Sequence, residues 1–126
     1  LQPHAMVSYK HGVTGTEDFK APEHWQLDQI EPGDREVPVE MCETLSPGWG
    51  YVKDAKHHGP DWPWKRLAFS RERDMNYLLN TGPLGDGSIH PKDDATLREL
   101  GRRLRLHGWP GGVDELEGEI VVPDAY

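Results

Sequence analysis

The chain has 126 residues, of which 35% are hydrophobic and 29% charged, with 14 glycines and 11 prolines. That length supports one domain with a core of its own, and a mean hydropathy of -0.78 marks a loop-rich chain on the polar side of globular. Fourteen basic against 22 acidic residues leave a net charge of -8, which opposes phosphate backbones and anionic lipid surfaces, so neither nucleic acid nor a membrane is expected as a partner.

No apolar run approaches the roughly 20 residues of a spanning helix, and no signal-peptide pattern opens the sequence. Cys42 is the single cysteine, so it forms no intramolecular disulfide, and cysteine usage assigns no compartment.

In chain order, Met6 to Tyr9 is a short apolar run stopped by Lys10, His11 and Gly12, and reads as a first strand. The stretch VTGTEDFKAPEHW is too rich in Gly, Thr, Asp and Pro for a helix interior and reads as a long surface loop holding Glu17, Asp18 and Glu23. Arg35 to Leu45 places Val37, Val39 and Met41 on one side of a period-2 pattern, with Pro38 suited to the start of a strand. SPGWGY then turns through Pro47, Gly48 and Gly50 and presents Trp49 and Tyr51 at the carboxyl end of that strand, before a polar loop from Lys53 to Asp61.

Trp64 to Arg73 reads as a helix with Leu67, Ala68 and Phe69 inward. Tyr77, Leu78 and Leu79 form an apolar run without alternation, which predicts a parallel strand buried on both faces. After a Gly/Pro/Asp-rich turn comes the clearest element, a helix over Pro91 to His107. Pro91 suits its first turn, Asp93 and Asp94 complement its dipole, and Gly108 stands where a C-terminal cap is expected. Its core stripe reads Leu97, Leu100, Gly101 and Leu104, with Arg98, Arg102, Arg103 and Arg105 mostly on the solvated side. Trp109 to Gly112 breaks the pattern, and Glu119 to Val122 reads as a terminal strand. This order suits part of an α/β barrel or open sheet, whose ligands bind at the carboxyl ends of the strands.

The chemistry-bearing residues are few. His57 and His58 are adjacent and do not easily converge on one ion, and no Cys/His spacing elsewhere supports zinc, so no metal or cofactor is expected. GPLGDG lacks the Lys-Ser/Thr ending of a phosphate loop, and Asn80 and Asp86 read as turn-holding residues. Glu40 and Glu43 line the face of Trp49 or else alternate outward on a strand, and Cys42 reads as a small buried hydrophobe.

Three segments carry a resemblance: KHGVTGTEDFKAPE (Lys10 to Glu23), EMCETLSPGWGY (Glu40 to Tyr51) and NYLLNTGPLGDGSIHPKDDATLRELGRRLRLHG (Asn76 to Gly108). In this order and spacing they resemble consecutive blocks of the α-L-fucosidases of glycoside hydrolase family 29, over residues 5–108. The tail from Trp109 to Tyr126 is divergent.

The resemblance implies a (β/α)8-like barrel that hydrolyses terminal α-L-fucosides with retention. It makes Glu23 the acid/base and Lys10 and Trp49 contacts of a fucosylated glycan, with Trp49 also open to a plain packing role. A retaining glycosidase needs two carboxyl groups about 5–5.5 Å apart, and the family's nucleophile lies upstream of these blocks, with no matching position here; Asp18 is the remote substitute. A whole barrel takes about 200–250 residues. The expectation is therefore a single domain over residues 1–126 that is half of a TIM-like barrel, about four strands with covering helices, completed by self-association as a homodimer or by a complementary N-terminal half. The alternative is a catalytically inactive half-barrel scaffold that self-associates, with at most weak sugar binding.

Overall fold

The computed structural model describes residues 2–8, 18–23 and 37–111. Two strands and two helices alternate in them: β1 (Glu40–Thr44), α1 (Asp61–Glu72), β2 (Asn76–Asn80) and α2 (Pro91–His107). Tyr9, Lys10 and the expected strand at Glu119 to Val122 lie outside the described residues.

β1 and β2 pair in parallel, with Glu40 opposite Asn76, Cys42 opposite Leu78 and Thr44 opposite Asn80. Such a pair needs a crossover, and α1 supplies it. Successive side chains point to opposite faces. One face holds Met41 and Glu43 opposite Tyr77 and Leu79, and it is the covered one: Val39, Met41, Phe69 and Met75 form the core, with Tyr77 against it. Val39 and Met41 are buried as the period-2 pattern expects, and Leu67, Ala68 and Phe69 of α1 are buried too.

α1 starts at Asp61, three residues ahead of the expected Trp64, with Pro63 buried in its first turn. It also buries Arg66 and Ser70, so it has no clean apolar stripe. Arg66 pairs with Glu43 through two bonds, Nε to Oε2 at 2.9 Å and Nη2 to Oε1 at 2.8 Å, and both residues are almost wholly buried. Phe69 carries both Arg66 and Arg73 on its ring, at 4.7 and 3.8 Å from the centroid.

The stretch read as a surface loop is partly ladder. Lys20 N donates to Pro38 O, Glu40 N to Lys20 O and Cys42 N to Pro22 O, so residues 20–23 run parallel to β1, and Ser8 bridges Phe19 in parallel beyond them. Composition misled because only a few of these backbone groups are paired, and a Pro contributes one of the accepting carbonyls. Asp18, the remote nucleophile candidate, holds this edge instead: its Oδ2 accepts from Val7 N at 2.7 Å.

Two burial expectations change. Leu78 is 48% exposed, so β2 is not buried on both faces. In α2 the buried residues are Asp93 and Thr96, whereas Leu97, Leu100, Gly101 and Leu104 are only half-buried. The helix docks through its first turns, where Thr96 Oγ1 donates to His58 O. Its bounds match the expectation: Pro91 opens it, His90 accepts from Lys92 N as the cap, and Gly108 closes it at φ 75° while donating to Leu104 O. Among the described residues no helix is long and apolar enough to cross a membrane.

Candidate functional site

The second face of the sheet is built from three rows. Asn76 Nδ2 donates to Glu40 Oε2 at 2.6 Å in the first, Cys42 faces Leu78 in the second, and Asn80 Nδ2 donates to Thr44 Oγ1 at 3.0 Å in the third. Glu23 bridges Cys42 in parallel, which puts it in the middle row, half-buried. Cys42 is half-buried rather than fully inside, and Glu40 and Glu43 stand on opposite faces, Glu43 being spent on Arg66.

Trp49 lies just past β1 in a loop clamped from both strands. Thr44 Oγ1 and Ser46 Oγ donate to Gly48 O, Leu45 N donates to Asn80 O, and Asn80 Nδ2 donates to Trp49 O at 3.1 Å. Asn80 is therefore more than a turn residue: it ties the row beyond Glu23 to the Trp49 backbone. The signal for it was its place at the end of the apolar run, but its partner is 31 positions away. Asp86 does hold its turn, since Ser88 N and Oγ both donate to it, and these bonds lower its pKa. Trp49 is 41% exposed, with Tyr51 and Val52 exposed beside it in sequence, so the rim of this end is apolar. Gly82 lets the two loops touch: a Cβ there would lie 2.3 Å from Gly50 O.

Glu23 thus stands in the middle row of this face and the Trp49 backbone is tied to the next row through Asn80, while Lys10 lies outside the described residues. On the covered face, the Tyr77 hydroxyl is buried near Glu43 without a well-formed hydrogen bond. Burial first, and then the charge of Glu43, push its pKa well above the ordinary value, against the pull of Arg66.

A second group of polar side chains meets at the same end. Asp93, fully buried in the first turn of α2, takes His57 Nδ1 on Oδ1 at 2.6 Å and the Thr81 hydroxyl on Oδ2 at 2.6 Å. His57 stacks on His90 with centroids 3.9 Å apart and rings 15° from parallel. His58 turns away and stacks on Trp62. The two adjacent histidines diverge, as expected; the convergence of His57 with residues far along the chain has no counterpart in Cys/His spacing.

The comparisons with known proteins agree on one family. The family model described as alpha-L-fucosidase matches residues 2–109. Among solved structures, the chain is similar to alpha-L-fucosidase isoenzyme 1 from Paenibacillus thiaminolyticus, at 29% identity and a TM-score of 0.62 over 73% of this chain and 23% of that one. It is also similar to Thermotoga maritima alpha-fucosidase, at 27% identity and a TM-score of 0.66 over 82% of this chain and 23% of that one, and to the complex of the Thermotoga enzyme with fucose, at 28% identity and a TM-score of 0.61 over 84% of this chain. No curated protein matches. The chain spans about 23% of the length of these solved relatives.

Proposed function

The chain belongs to the alpha-L-fucosidase family, and from that membership we propose that it supplies the acid/base side of a retaining fucosidase site, with the attacking carboxylate coming from outside these 126 residues. Glu23 is the proton carrier and Trp49 and Lys10 are the sugar contacts. The observation that carries this reading is the ladder position of Glu23, one row from the Thr44–Asn80 pair that holds the Trp49 loop. A carboxyl group fixed to a paired backbone keeps its direction better than one on a loop tip.

In the first step Glu23 donates its proton to the glycosidic oxygen as the nucleophile bonds the anomeric carbon. In the second, its carboxylate takes a proton from the water that displaces the nucleophile. Trp49 offers a flat apolar face to the methyl-bearing edge of a 6-deoxy sugar. The parallel strands then form one part of a (β/α)8-like barrel, closed by further chain, by a complementary half or by a second copy. A self-associating scaffold without turnover is the second reading, favoured by the exposed Leu78 on the Glu23 face.

The test is hydrolysis of an aryl α-L-fucoside with a poor leaving group, on which protonation weighs most, by the purified chain and by the chain mixed with an upstream family segment, with the assembly mass recorded. Turnover that falls at least about 100-fold in Glu23→Gln is the expected outcome. Equal rates in the variant would overturn the role of Glu23, and no turnover in a folded assembly would favour the scaffold.

A further inference from the structure

His57, His90 and Asp93 each bring a metal-ligating type of atom to within 4.8 Å of the other two. We propose that these three residues form a binding site for a zinc-class divalent ion, at the carboxyl end of the strands and separate from the Glu23 row. Two imidazoles with one carboxylate suit zinc and its neighbours, whereas magnesium and calcium favour oxygen donors throughout.

The three donors come from parts of the chain that the fold already holds together. His57 lies in the loop between β1 and α1, His90 caps α2, and Asp93 lies in the first turn of that helix. Asp93 is fully buried and the His57 side chain is only 6% exposed, so much of their desolvation is met by folding itself. The Thr81 hydroxyl on Oδ2 orients the Asp93 carboxylate and turns Oδ1 toward His57. A hydrogen-bonded carboxylate of this kind is the support that metal ligands ordinarily have.

Zinc bonds of about 2.0–2.2 Å set tetrahedral donor atoms roughly 3.3 Å apart. The 2.6 Å contact between His57 Nδ1 and Asp93 Oδ1 must therefore open, and the widest separation, up to 4.8 Å, must close. The proton between His57 and Asp93 then gives way to the ion and moves to the other ring nitrogen or to solvent. His90 is the adjustable member: its ring, now stacked on His57 at 15° from parallel, must swing out of the stack so that both nitrogen lone pairs meet on one ion, and its capping bond to Lys92 N is long, at 3.2 Å. Three protein donors leave a fourth position for water.

Untagged, chelator-dialysed chain would be titrated with cobalt(II) and followed by visible absorption, then with zinc in competition. The expected result is one tetrahedral ion per chain, displaced by zinc and indifferent to magnesium, with affinity reduced at least tenfold in His90→Ala and in His57→Gln. Because Asp93 and His57 also hold loops together, His90→Ala is the deciding variant, and its circular dichroism is checked against the parent chain. Zinc should raise the thermal midpoint of the parent and leave that of His90→Ala unmoved. No cobalt bands in the folded parent chain would overturn the proposal. Equal binding by parent and His90→Ala would overturn it too, placing the ion on other histidines.

Discussion

Glu43 and Arg66 form the one pair of opposite charges fully enclosed between sheet and helix among the described residues, and the two-pronged geometry satisfies both guanidinium and carboxylate. Removing one partner of such a pair leaves a buried charge without compensation, which costs about 3–5 kcal/mol, a large share of the roughly 5–15 kcal/mol of a whole domain. Arg66→Met is therefore expected to lower the denaturant midpoint sharply, and the double change Glu43→Gln with Arg66→Met to recover part of the loss. A single variant as stable as the parent in urea unfolding would show that solvent reaches the pair. The same pair explains why Glu43, a glutamate in a family-like block, is not part of the Glu23 row: its side chain points to α1, and Glu23 reaches the other face through register.

At the scale of elements, two features set stability at opposite ends of the chemistry. The first is the contact of the Gly82 turn with the Trp49 loop. Gly82→Ala would drive a methyl group into the Gly50 backbone, which cannot swing aside as a long side chain does. A loss of about 1–3 kcal/mol is expected, with the Trp49 loop displaced. Thermal unfolding checks the first and tryptophan emission the second. The second feature is the exposed face of α2, where Glu99 accepts from Arg102 and Arg103; these bonds, Arg102 first, bring its pKa from 4.5 down to about 2. A carboxylate with a depressed folded-state value stabilises above its unfolded value and loses that contribution as the pH falls through the folded one. The contribution of Glu99 is therefore present above about pH 4.5 and lost toward pH 2. The Glu99 side chain reaches solvent, at 29% exposure, so added salt is expected to shrink the difference between parent and Glu99→Gln in an acid titration, and a difference unchanged by salt would contradict this.

For the whole molecule, the open side of the sheet is the deciding feature. Among the described residues β2 pairs only with β1, and Leu78, at 48% exposure, lies on the face that carries Glu23 and Asn80. Unpaired strand edges and uncovered apolar side chains favour association. The proposed self-completion predicts mass that rises with concentration in light scattering, and a shift toward monomer in Leu78→Lys. A strictly monomeric chain at high concentration would sink completion by a second copy and leave a complementary segment as the means of closing the barrel.

Local chemistry was legible in the sequence. α2 could be bounded because proline, acidic first-turn residues and a terminal glycine act within a few positions of themselves, and the inward face of β1 followed from the alternation of Val39 and Met41. The motif blocks were sufficient for the family, since their residues keep order and spacing along the chain. What needed the tertiary structure is what depends on distant partners. The ladder set Glu23 beside Cys42; enclosure of a charge chose Arg66 for Glu43 across 23 positions; and the docking of α2 brought Asp93 to His57 across 36. Leu78 was misjudged for the same reason: an apolar run declares that a strand is fit to be buried, and only the surrounding elements decide whether anything covers it.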